Sequence, residues 1–155
     1  NTISKYGIDI LNNKKCDVIL TPHLQEFKRL LNNEYDLSYI KENMINLALA
    51  FSSKYHINLI LKSASEIITD GNNLYINYSG NTALAKAGSG DALAGILTGV
   101  TSYLKCNLIK KMSYAAFLHG YIATLATKDY EEECLTISKI IEYIPKAIRN
   151  IKRMK

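Results

Sequence analysis

Ala87-Gly88-Ser89-Gly90-Asp91-Ala92-Leu93-Ala94-Gly95 is the most informative segment of the chain. Its two glycines let a backbone approach a ligand closely, and Leu93, Ile96, Leu97 and Val100 behind them repeat at helical spacing. A helix that starts here points N–H groups and the positive end of its dipole at the loop, which makes a seat for an anion. Asp91 stands beside that seat, where a carboxylate can take a proton from a hydroxyl attacking a phosphoryl group. A structural reading competes: a helix opened by glycine with an acid in its first turn. Two commoner phosphate motifs are excluded. No Gly-Lys-Ser or Gly-Lys-Thr follows at Walker A spacing, and Leu93 stands where a dinucleotide fingerprint needs its third glycine.

Outward from this loop, strands and helices alternate. Asp17-Val18-Ile19-Leu20 is a β-rich run halted at Thr21-Pro22, and Glu26 to Leu31 reads as a short helix. Ile40, Met44, Leu47 and Phe51 predict one longer helix after Asp36. Ile57-Asn58-Leu59-Ile60-Leu61 is apolar enough for a strand buried on both faces. Asp70-Gly71-Asn72-Asn73 is a turn that joins Ile67-Ile68-Thr69 to Leu74-Tyr75-Ile76-Asn77 in a hairpin. Past the glycine loop, helices are expected to Val100, from about Lys110 to Thr127, and in the tail with Pro145 at the start of the last one. The order indicates α/β layers, but two parallel strands and a hairpin make a thin sheet.

The composition limits the function classes. In 155 residues, 48% are hydrophobic and 21% charged, the balance of one globular domain rather than a disordered chain. Cys16, Cys106 and Cys134 form no Cys-x-x-Cys pair, so free buried thiols in a reducing cytoplasm are expected. His23, His56 and His119 lack metal-ligand spacing, and no metal site built by protein side chains is expected. Much of the +5 charge lies at Lys146, Arg149, Lys152, Arg153 and Lys155, beside Ile144, Ala147, Ile148 and Ile151 at helical spacing. With no interleaved aromatic residues, this reads as a helix with one packed and one solvated face, not a nucleic-acid or membrane surface.

The glycine loop with Asp91 resembles the anion hole of the ribokinase-like superfamily. Further blocks narrow the resemblance to the NAD(P)H-hydrate dehydratases. Leu20-Thr21-Pro22-His23 with Glu26 is similar to their Thr-Pro-His-x-x-Glu block, and Lys62-Ser63-Ala64-Ser65-Glu66 to their lysine-glycine-alanine nucleotide loop. Gly80-Asn81 and Leu118-His119-Gly120 follow in the family order. The resemblance implies a three-layer α/β/α ribokinase-like fold, of which residues 1–155 are the C-terminal portion. Asn1 looks like the end of a family segment, and the first Met is Met44, so the rest of the domain is expected upstream.

For function, the resemblance implies dehydration of NAD(P)H hydrate back to NAD(P)H, with ADP or ATP as phosphoryl donor and Mg2+ carried with the nucleotide. It implies that Asp91 is the base and touches substrate, that Gly88, Ser89 and Gly90 form the nucleotide-side anion hole, and that Lys62, Ser63, Ala64, Ser65 and Glu66 form the nucleotide loop. His23 and Asn81 fall on the substrate side, while His119 reads as structural. A cytoplasmic homo-oligomer, often a tetramer, is implied, with an epimerase in the same polypeptide or acting beside it. The sequence departs from the family pattern at Ala87, Ser63 and Glu66, where glycine, glycine and threonine are usual, and at Leu24-Gln25 in place of Pro-Gly. Two rivals share part of the pattern: a small-molecule kinase of the same superfamily, and a nucleotide-binding module without activity.

Overall fold

Ile19–Leu20 form β1 and Asn58–Leu61 form β2, which run parallel with Ile19 opposite Asn58 and Leu20 opposite Leu59. A parallel pair needs a long crossover, and three helices supply it: α1 (Leu24–Leu30), α2 (Leu37–Glu42) and α3 (Met44–Tyr55). The single helix expected after Asp36 is therefore two. Asn43 interrupts it at φ −116° and ψ 18°, and its side-chain amide donates to the Tyr39 carbonyl at 3.0 Å. An Asn side chain competes with the helix ladder in this way. Ile40 and Phe51, on either side of the break, still enter the same core with Phe27, Leu59 and Leu61.

β3 (Glu66–Thr69) returns antiparallel to β2, with Leu61 opposite Ile67 and Leu59 opposite Thr69. β4 (Leu74–Asn77) completes a four-stranded sheet in the order β1-β2-β3-β4. Leu59, Ile60 and Leu61 are wholly buried, as expected of a strand covered on both faces. The turn between β3 and β4 is built by two side chains. Asp70 Oδ1 accepts the N–H groups of Asn72 and Asn73 at 2.9 and 2.7 Å, and Thr69 Oγ1 accepts that of Gly71 at 2.9 Å. Gly71 has φ +92°, and a Cβ on it would stand 2.7 Å from the Ser53 nitrogen of α3. Only glycine fits there.

The computed structural model describes residues 3 and 7–154. Asn1 and Lys155, both used in the sequence reading, lie outside the described residues. The chain divides into two compact units, Asn1–Ile76 and Asn77–Lys155, and the elements above make the first.

The second unit is helical: α4 (Ser89–Tyr103), α5 (Leu108–Ala126), α6 (Ile137–Ile141) and α7 (Ile144–Arg153). α4 packs on α5, whose Ala115, Ala116, Ile122, Ala123 and Ala126 have no exposed surface. Pro145 sits in the first turn of α7, where a missing N–H costs nothing. α7 buries Ala147 and keeps Arg149, Lys152 and Arg153 exposed, the packed-and-solvated arrangement read from the sequence. The cysteine expectation is corrected in one respect: Cys16, Cys106 and Cys134 are free, but all three are exposed. Cys16 and Cys106 fall on loops and Cys134 ends the 3-10 turn Glu132–Cys134, all outside the apolar periodicity that fills the cores. Among the described residues no helix is long and apolar enough to cross a membrane.

Candidate functional site

In the first unit, the Thr-Pro-His block and the lysine loop are neighbours. Pro22 has no N–H to give to the sheet, but its carbonyl accepts the Lys62 N–H at 2.8 Å. The ladder then resumes as a parallel bridge between His23 and Lys62, beyond the ends of β1 and β2. Residues 62–65 connect β2 to β3, so both blocks emerge at the same end of this parallel pair.

His23 is the N-cap of α1. Its Nδ1 accepts the Glu26 N–H at 3.2 Å, and a Glu26 carboxylate oxygen accepts the His23 N–H at 2.9 Å, a reciprocal capping box. An accepting Nδ1 leaves the proton of a neutral ring on Nε2, which lies 3.5 Å from Glu26 Oε2. The side chain is 53% exposed, so this N–H can meet a ligand while the rest of the ring serves the fold. In the loop, Ser63 turns its hydroxyl inward onto the Ser65 carbonyl at 2.5 Å. Ala64 is exposed, Lys62 and Ser65 are half-buried, and Glu66 is the first residue of β3.

In the second unit, Gly88 opens α4 at φ +88° and ψ −11°, and no side chain caps this helix end. Ala87 is accommodated because its backbone does not need positive φ; among described non-glycine residues only Asn32, Asn33 and His56 adopt it. The first α-helical bond runs from Ala92 N–H to the Gly88 carbonyl at 2.9 Å, and Ser89 N–H donates to the Lys86 carbonyl at 3.2 Å. Gly90 and Asp91 lie in the turn between these bonds. Asp91 is exposed, in the first turn, where the helix dipole favours negative charge and its own carboxylate competes with a bound anion.

From Gly88 and Asp91 an apolar groove of about 610 Å3 runs along Gly95 and Gly99 of α4 and is walled by Ile144 and Ile148 of α7. A Cβ on Gly95 or Gly99 would meet nothing within 4 Å.

Asn81 begins a short 3-10 turn, Thr82–Leu84, that leads into the loop. Its side-chain oxygen accepts the Ala83 N–H at 3.2 Å and its amide donates to Thr127 Oγ1 at 3.0 Å. The Gly80-Asn81 and Leu118-His119-Gly120 blocks turn out to be one contact. A Cβ on Gly120 would stand 2.2 Å from Ser79 Oγ, and Gly80, at φ +104°, would place a Cβ 3.2 Å from the Gly120 Cα.

Sequence reasoning missed one residue here. Lys86 donates from Nζ to the carbonyls of Glu132 and Leu135 at 2.5 and 2.6 Å, and so ties the approach to the loop onto the segment before α6. The only sequence signal was a charged residue set among small ones just before the glycines. His119, read as structural, is 4% exposed, and its Nε2 lies 3.3 Å from the Ser89 hydroxyl.

These elements belong to a class already known. A ribokinase-like superfamily protein from Enterococcus faecalis superposes with a TM-score of 0.73 over 92% of this chain and 50% of its own, at 23% identity. The chain has the ribokinase-like α/β fold. A family model described as NAD(P)H-hydrate dehydratase matches residues 3–146, and the chain belongs to that family.

Among its relatives, a bifunctional NAD(P)H-hydrate repair enzyme from Thermofilum pendens is 28% identical over 145 residues, 93% of this chain and 27% of that protein. An ADP/ATP-dependent NAD(P)H-hydrate dehydratase from Bacillus subtilis, co-crystallized with ATP/Mg2+, is 26% identical with a TM-score of 0.80, over 86% of this chain and 48% of its own. The chain thus spans about half of the dehydratase and about a quarter of the bifunctional enzyme.

Proposed function

We propose that this chain carries the phosphoryl-transfer groups of a nucleotide-dependent NAD(P)H-hydrate dehydratase. The observation that carries the reading is the uncapped start of α4, with Gly88 at positive φ and Asp91 exposed beside it. Membership of the family supports it. The nucleotide loop is Lys62 to Glu66, which contributes the Lys62 ammonium. Gly88, Ser89 and Gly90 receive the phosphoryl groups. His23, with its Nε2 proton, and Asn81 belong to the substrate side, and Asn81 acts mainly by holding the turn before the loop.

The chemistry follows from leaving groups. Hydroxide leaves poorly and phosphate leaves well. The hydrate's hydroxyl oxygen attacks the terminal phosphorus of ADP or ATP, Asp91 takes its proton, and the bond to the bridging oxygen breaks to release AMP or ADP. Phosphate then departs with its C–O electron pair while the adjacent ring carbon loses a proton to water, which restores the ring double bond. Most of the rate comes from position and charge stabilisation.

Among the described residues no three His, Cys, Asp or Glu side chains cluster as a metal cage. A Mg2+ carried with the nucleotide would be held mainly by phosphate oxygens and water, with Asp91 the exposed carboxylate on the loop. When bound, the ion neutralises phosphate charge.

The test supplies the protein with hydrated NADH, Mg2+ and either ADP or ATP, and follows the return of near-ultraviolet NADH absorbance. Recovery with one nucleotide, lost in Asp91→Asn, supports the reading and identifies the donor. A stable phosphorylated product without recovery would make the protein a kinase of the superfamily.

A further inference from the structure

We propose that His119 is a positioning residue for the nucleotide: it decides whether the Ser89 hydroxyl can donate to a bound phosphoryl group. The inference rests on the nucleotide-binding part of the function proposed above, and not on the identity of the hydrate.

Ser89 has two donors for an anion, its backbone N–H and its hydroxyl. The N–H is spent on the Lys86 carbonyl at 3.2 Å. What Ser89 offers a ligand is therefore the hydroxyl, which is half-buried at the first position of α4. That hydroxyl has one hydrogen and two lone pairs, and its side-chain neighbour is His119 Nε2 at 3.3 Å.

Two arrangements of this pair are possible, with opposite consequences. With the imidazole proton on Nδ1, a bare Nε2 accepts the Ser89 hydrogen and the hydroxyl has nothing left to give a phosphate. With the proton on Nε2, the ring donates to the Ser89 oxygen, and the hydroxyl hydrogen is released toward the anion. A phosphoryl oxygen beside Ser89 selects the second arrangement. Ser89 then links phosphate to ring as one hydrogen-bonded chain.

The position of the ring is fixed by packing. His119 is 4% exposed on α5, and the next residue, Gly120, is pressed so closely against Ser79 that no Cβ fits between them. Ser79 Oγ also donates to the Phe117 carbonyl, one helical turn from Gly120, at 3.1 Å. The turn carrying His119 is clamped, and Ser89 has a rigid partner shielded from water, in which a hydrogen bond is not diluted by solvent.

Calorimetric titration with ADP and with ATP in the presence of Mg2+ tests this on the full chain, without the hydrate. Ser89→Ala and His119→Leu should each weaken nucleotide binding by roughly tenfold, about the worth of one hydrogen bond to a charged group. His119→Gln, whose amide can donate near the Nε2 position, should recover most of the loss. In the double variant Ser89→Ala with His119→Leu the losses should not multiply, because both remove the same chain of bonds.

Unchanged affinity in Ser89→Ala overturns the proposal even if His119→Leu fails to fold. Losses that multiply in the double variant also overturn it, since His119 would then act only through packing. A native protein that binds neither nucleotide removes both this proposal and the function beneath it. Binding that behaves as expected in a protein unable to repair the hydrate leaves this proposal standing and removes the dehydratase reading.

Discussion

α1 and α4 each begin at a residue carried over from the family pattern, and they begin differently. α1 is closed by its own chain: His23 and Glu26 exchange hydrogen bonds across its first turn. α4 is opened by a left-handed glycine and has no side-chain cap. The His23 and Glu26 N–H groups at the start of α1 are spent on each other's side chains. At the start of α4 the Ser89 N–H goes to the Lys86 carbonyl, and no side chain accepts from the turn that holds the exposed Asp91. A helix N-terminus becomes a ligand seat only where the sequence withholds a cap. In the function proposed here His23 combines a capping role with a ligand role, while Asp91 makes no cap and has the ligand role alone.

Four measurements test the contrast between these two helix starts. The largest effect is expected at Asp91. Asp91→Asn should lower turnover by about 100-fold or more, the usual worth of a positioned base, and leave thermal stability nearly unchanged. A stability loss with retained turnover would reverse the assignment.

Next come the glycines wedged against neighbouring backbone, one in each unit. Gly71→Ala and Gly120→Ala should each cost about 2–4 kcal/mol in chemical denaturation, because a Cβ would stand 2.7 Å from Ser53 and 2.2 Å from Ser79 respectively. Gly120→Ala should also weaken nucleotide binding by shifting His119, whereas Gly71→Ala should not.

A smaller effect is expected from His23→Ala, which removes the α1 cap and should cost about 1 kcal/mol in urea denaturation. Turnover should fall as well, if Nε2 serves the substrate. Loss of stability alone would leave His23 as a cap and nothing more.

The smallest effect concerns pH. Tyr143 donates to Asp129 at 2.8 Å, which pushes the phenol up to about 12 and, with the Lys146 ammonium at 3.0 Å, holds the carboxyl below its ordinary range. A lowered carboxyl supports the fold above its unfolded pKa, near 4, and loses that support as pH falls. A raised phenol supports the fold below about 10 and loses that support as pH rises through 12. Asp129→Asn should therefore flatten both edges of the stability–pH curve while nucleotide binding at neutral pH stays unchanged.

Much of this was legible in the sequence, for reasons particular elements show. Ile57 to Leu61 reads as a doubly covered strand because its apolar run has no polar face, and β2 is wholly buried from Leu59 to Leu61. The turn at Asp70–Asn73 and the start of α7 near Pro145 announce themselves by residues with fixed backbone demands. The break at Asn43 was not legible, since apolar spacing continues across it and only the Asn side-chain bond to Tyr39 interrupts the ladder. Of the candidate site, the loop and the openness of its helix end could be read from Gly88 to Asp91. The adjacency of His23 to Lys62, the double anchor of Lys86 and the reach of His119 to Ser89 are all long-range contacts, and one sequence without its fold does not record them.

Gly95 and Gly99 carry a consequence for how α4 moves. One side of the helix is held by Leu93 and Leu97 in the core, while at Gly95 and Gly99 a Cβ would meet no atom within 4 Å. The Thr98 and Ser102 hydroxyls donate to the Ala94 and Gly99 carbonyls at 2.8 and 2.7 Å, a competition with the helix ladder that lets the axis bow. Each glycine also forgoes about 1 kcal/mol of helix propensity relative to alanine. α4 is thus a lever with one stiff edge and one compliant edge. Its soft point at Gly95 lies one turn from Asp91, so a small bend there changes the direction in which the carboxylate points.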